Sequence, residues 1–217
     1  MKRKKLFSKV GTRNETVLLN WQGTPEEEFT LYAEAYHKVA SDAVTALKNY
    51  QDAGFHKVPL DDFRAYPIVF LYRHSLELYM KAVILTAAPM LMIKSNTDID
   101  REKLRNTHSL DSLRQLLEQV FAAYEWEWDL GTEHFKTLTD FRNIISELHE
   151  VDTRSFVFRY PLDTKGKASL SSNFEFNLFK FCEIFDCLLP VLEGAAFAAY
   201  EGLQLEYEIM AEYYNDI

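Results

Sequence analysis

Apolar residues recur every three or four positions along most of this chain, the spacing of one helix face. Five segments carry the pattern. The first opens at "GTPEEEF", with Thr24 as N-cap, Pro25 at the first helical position and glutamates at the positive end of the dipole. It runs to about Tyr50, and the loop "DAGFHKVPLDD" follows. A second helix runs from Phe63 or Tyr66 to Thr86, and "PMLMIKSNTDIDREKLRNT" is a connector with room for a helical turn. The third starts at "THSLDSLRQLL", capped by Thr107 or Ser109, with Asp111 in its first turn. Thr132 is the expected cap of the fourth, "EHFKTLTDFRNIISELHE". The fifth runs from about Phe174 past Tyr200 towards Tyr213, with Pro190 as a kink. Strand-like alternation is confined to "FVFRY", so residues 152–172 are expected to form an irregular loop or a short hairpin. The expected fold is all-α: an antiparallel bundle of about five helices, one domain over 23–217, after an N-terminal tail over 1–22.

Two polar stripes interrupt the apolar faces. Arg73, Glu77 and Lys81 follow at four-residue steps on one face of the second helix, next to His74. Burying three charges costs several kcal/mol each unless they pair. The stripe therefore either lines a polar groove or forms an ion-pair ladder. On the last helix Asn177, Lys180, Glu183 and Asp186 are spaced by three in otherwise apolar surroundings, which predicts a helix buried on most sides. Charges also punctuate the two most apolar stretches, 66–90 and 178–200, so both read as core helices and no membrane span is expected.

Composition sharpens this picture. The 217 residues are 47% apolar and 14% aromatic with only 7 glycines and 6 prolines, which suits long helices around a real core. The formal charge of −9 argues against a protein that coats nucleic acid. The basic run "KRKK" at 2–5 reads as a solvated tail, and "RYPLDTKGK" at 159–167 is a second local patch. Cys182 and Cys187 are five apart on one helix, point away from each other and have no metal-type spacing around them. They read as structural thiols of a cytoplasmic protein without metal or cofactor.

Candidate chemistry sits in "FRNIISELHE". Seven residues are nearly two helical turns, so Arg142 and His149 share a face about 10 Å apart along the axis. Metal-free cleavage of RNA needs a group to move the 2′-hydroxyl proton and a cation for the crowded phosphate. Histidine titrates near neutrality, and the guanidinium fork matches phosphate oxygens. Spacing alone is weak: with 10 arginines and 6 histidines one such match is expected by chance, and "REKLRNTH" repeats it from Arg101 to His108. His108, at a helix start, reads as a capping or surface residue. A catalytic and a structural role for the Arg142–His149 pair both remain open.

The segments "YRHSLELYMKAVIL", "THSLDSLRQLL", "FRNIISELH" and "FRYPLDTKG" together resemble the HEPN superfamily of small helical proteins, over roughly residues 66–200. "FRNIISELH" matches its R-x(4–6)-H signature. The resemblance implies a metal-independent endoribonuclease acting as a toxin or phage-defence effector, with RNA as substrate. It implies a homodimer that joins two motifs in one cleft, and an antitoxin or defence-system partner. Arg142 would then stabilise the phosphate, His149 act as acid–base and Asn143 orient one of them. It equally implies, as the alternative, a catalytically silent member that binds a partner protein or a nucleotide.

Overall fold

The computed structural model describes residues 12–19, 28–54, 62–128, 136–170 and 174–215. Among them the chain is all-helical: α1 (Glu28–Asp52), α2 (Ala65–Ser95), α3 (Arg101–Asn106), α4 (Leu110–Ala123), α5 (Leu138–Val151) and α6 (Leu178–Asn215), plus a 3-10 turn at Arg13–Glu15. The Thr24–Pro25 helix start and most of the N-terminal tail fall outside the described residues.

α2 is the centre. Every residue from Ser75 to Leu85 is buried, because α1, α4 and α6 all pack along it and α3 touches it too. α5 packs on α4, and α1 also meets α6. α2 is longer than the periodicity predicts. It passes Thr86 and Pro89 and ends at Ser95, where Asn96 in the left-handed region (φ 50°) caps it. Ala87, Ala88, Met90 and Leu91 are buried, so tertiary packing carries the helix through the proline.

Two helix starts differ from expectation. The described part of the fourth predicted helix starts at Leu138 with Thr137 as its cap, in a capping box with Asp140 that satisfies two backbone donors; Thr132, the expected cap, lies outside the described residues. The last helix begins at Leu178 and not at Phe174, since the Asn177 side chain accepts from the Lys180 N–H (3.0 Å) and stops it there. Asp100 caps α3 and Ser109 caps α4, while α2 starts at Ala65 without a side-chain cap. The 152–170 segment is an irregular loop with one isolated antiparallel bridge, Leu162 to Ala168. Asp152 organises its first turn by accepting from the Phe156 and Val157 N–H groups at 2.7 and 3.2 Å. Asp163 holds its tip by accepting from Lys165 and Lys167.

The tryptophans after α4 explain how α4 and α5 are joined. Trp128 stacks on Phe121 (centroids 3.9 Å) and on Phe141 (5.1 Å), and Trp126 meets the Phe121 edge. Nearby, Tyr124 donates to the Ala199 carbonyl (3.0 Å), and a Cβ at Gly202 would fall 2.8 Å from its ring. Glycine at 202 is what allows that approach. Phe141 is fully buried. Phe141→Ala is expected to cost about 3–5 kcal/mol in urea unfolding, whereas Phe197→Ala, at a position 67% exposed, should stay within about 0.5 kcal/mol.

Candidate functional site

The α5 face that carries Arg142 and His149 turns towards α4. Arg142 donates from Nε and Nη2 to the two oxygens of Glu118 (3.0 and 2.7 Å). Glu118 also accepts from Arg114, and Arg114 donates from Nε and Nη2 to Asp111 Oδ1 (3.1 and 2.7 Å). The result is a continuous line of alternating charge along the α4–α5 seam. Hydrogen bonding from Arg142, then from Arg114, holds the Glu118 carboxyl below its usual range although burial opposes this. Arg114 does the same for Asp111, with a smaller contribution from His149 at that end of the seam.

The sequence therefore places the pair on one face correctly, but the side chains are not poised alike for chemistry. The Arg142 fork is occupied by a carboxylate, so a phosphate must displace Glu118 to reach it. His149 has its Nδ1 buried without a hydrogen-bond partner among the described residues, so no bond at that atom fixes the ring tautomer. Asn143 is exposed and holds neither residue.

The α2 stripe is a buried ion-pair network and lines no groove. Arg73, Glu77, Lys81 and Asp152 are each no more than 2% exposed. Arg73 Nη1 donates to Glu77 Oε2 (3.0 Å) and Lys81 Nζ to Glu77 Oε1 (2.9 Å). Arg73 Nη2 reaches the His108 carbonyl (2.8 Å), and Lys81 the Arg105 carbonyl (3.0 Å). Arg73 Nε and Asp152 Oδ2 face each other at 3.2 Å as an ion pair, though without hydrogen-bond alignment. Burial alone raises the Glu77 pKa; the Lys81 charge, hydrogen bonds from Lys81 and His108, and the Arg73 charge outweigh it and keep the carboxyl ionised.

His108 belongs to this network. Its Nδ1 lies 2.9 Å from Glu77 Oε1 while its side chain is 53% exposed. Ionised Glu77 can only accept, so Nδ1 carries the proton. Ser109, next in sequence, is the helix cap. His74 points elsewhere, stacked on Phe70 and edge-on to Tyr36, and burial first of all lowers its pKa.

Sequence reasoning missed two features. Asp186 Oδ1 accepts from the Tyr72 hydroxyl and bonds His37 Nε2, both at 2.8 Å, joining α1, α2 and α6. The three-residue stripe on α6 held the signal for Asp186, but its partners lie far away in sequence. The second feature is an apolar groove between α5 and α6. Its cavity, about 330 Å³, is walled by Val69, Ile144, Leu148, Phe158, Phe181 and Phe185, with Glu147, Asn177 and Lys180 at its edge.

No group of three or more His, Cys, Asp or Glu among the described residues could hold a metal ion. One described helix, Ala65–Ser95, is long and apolar enough to cross a bilayer, and most of it is buried inside the fold. No protein-family model, no curated protein and no solved structure matches the chain.

The network sets a stability test. Glu77→Ala leaves two buried cations short of a partner and is expected to cost about 3–5 kcal/mol. Glu77 has a depressed folded pKa, so its contribution is fully present above the unfolded value of about 4.3 and is lost as pH falls through the folded value. Urea midpoints measured downwards from pH 6 should drop below about pH 4, and Glu77→Gln should lack that component of the drop.

Proposed function

We propose that this chain is a HEPN-like helical module that works by binding, with Arg142 and His149 as part of its α4–α5 seam and not a reaction centre. The observation that carries this reading is the two-bond hold of Glu118 on Arg142. A positive charge that already shares a carboxylate offers a phosphate little, and Asp111 and Glu118 on the same seam repel it. The groove between α5 and α6 is the binding place this reading selects, in a cytoplasmic protein. The HEPN resemblance of "FRNIISELH" then reflects shared architecture with the silent members of that superfamily.

A second reading, the metal-independent endoribonuclease of a toxin or defence system, keeps one observation in its favour. Arg142 is half-exposed and does share a face with His149, so a second copy of the chain could bring two pairs into one cleft. A single assay separates the two. Purified protein is incubated with RNA in EDTA. The binding reading expects no cleavage by the wild type, and Arg142→Ala should lower the melting temperature by releasing Glu118. The nuclease reading expects EDTA-resistant cleavage that His149→Ala and Arg142→Ala abolish, that Arg142→Lys does not restore for lack of the fork, and that His108→Ala leaves intact. Sedimentation showing a monomer at micromolar concentration would further count against a shared cleft.

A further inference from the structure

We infer that the α5–α6 groove takes a small amphiphile with a single carboxylate head, of the medium-chain fatty-acid type. The inference rests on the binding reading above and names its ligand. Four observations fix the chemistry.

The first is size. At about 330 Å³ the cavity lies at the small end of ligand sites, which span about 300–1,000 Å³. That is room for one small molecule lying along the groove.

The second is the walls. Val69 forms the floor from α2, Ile144 and Leu148 come from α5, and Phe181 and Phe185 from α6. Such walls offer an alkyl chain or ring dispersion and nothing polar to satisfy.

The third is charge. Lys180 is the one cation among the lining residues, is exposed, and takes part in no ion pair among the described residues. It sits where the head of an amphiphile leaves the groove. Glu147, across on α5, also lines the cavity. With one cation and one carboxylate at the rim, a head carrying a single negative charge on Lys180 is repelled less by Glu147 than a phosphate monoester or a nucleotide, so a monocarboxylate is favoured.

The fourth is length. Phe158, Phe174, Phe176 and Asn177 line both this cavity and a second one of about 660 Å³. They form the partition between the two, and a chain too long for the groove has to displace them. Affinity should therefore rise with chain length and then level off.

The test is calorimetric titration of the full chain with octanoate and decanoate below their micelle concentrations. One saturable site is expected, with decanoate binding roughly tenfold tighter than octanoate for its two extra methylenes. Decyltrimethylammonium and decyl phosphate should both bind more weakly than decanoate. Lys180→Glu should weaken decanoate about tenfold and remove its advantage over the ammonium probe. Ile184→Trp, which fills the groove from α6, should abolish binding; Ile144→Trp does the same from α5 if the first variant fails to fold by circular dichroism. Three results overturn the inference: no saturable heat, equal affinity for the three head groups, or light scattering that shows a second copy of the chain occupying the face. If decanoate fails and RNA stays uncut, the ligand class is wrong and the binding reading stands. If RNA is cut while decanoate still binds in a Lys180-dependent way, the function reading falls and this site remains.

Discussion

The carboxylate of Glu77 is the point on which the rest of the fold hangs. It lies in the middle of α2, nearly inaccessible, and bonds Arg73, Lys81 and His108. Arg73 and Lys81 then pass the constraint on, to the carbonyls of His108 and Arg105 and to Asp152. One buried anion thus fixes where the α3–α4 link and the end of α5 attach to the central helix. The four charged groups balance, two cations against two anions, which lets so many be buried together. A network of this kind adds little net stability over a well-packed apolar set, because desolvation offsets most of the Coulombic gain. What it contributes here is position. An apolar α2 could slide against its neighbours by a turn at small cost, whereas a slide here leaves a charge unpaired.

That anchoring explains the groove. Among the described residues α5 is tied by Phe141 to Trp128, by Arg142 to Glu118, and just beyond its C-terminus by Asp152 to Arg73. The first two tie it to the α4 side and the third pins its end to α2. None draws it towards α6. The Phe174–Asn177 segment, stopped from becoming helix by the Asn177 cap, lines the space between them without filling it. The groove therefore follows from where these attachments of α5 lie.

Helix content was legible because it is local. Apolar spacing, Ser109 and the acidic first turns all point the same way, and the helices form where those signals are. What failed was also physical. Thr132 and Thr137 are both adequate caps, and only Thr137 has an aspartate three residues on to complete a reciprocal pair. Pro89 reads as a stop, but buried Met90 and Leu91 offset the lost hydrogen bond. The Arg73–Glu77–Lys81 stripe was visible as a row of charges, yet its burial depends on Asp152 and His108, which no periodicity relates to it. Asp186, Tyr72 and His37 met for the same reason and went unseen. Partners distant in sequence are set by packing.

The two arginine–histidine pairs make the limit of motif reasoning concrete. Arg101 to His108 and Arg142 to His149 have the same spacing, and the second alone sits within one helix. Spacing favours the second; surroundings do not. His108 has its Nδ1 set by a buried, ionised glutamate, the arrangement that fixes a tautomer, but that glutamate is committed to holding the core. His149 is on the expected face with no partner at its buried Nδ1 among the described residues, and Arg142 answers to Glu118. A reactive histidine needs exposure, an orienting partner and a free cation close by. Among the described residues these are divided between two sites: the oriented imidazole at His108 and the half-exposed arginine, held by Glu118, at Arg142.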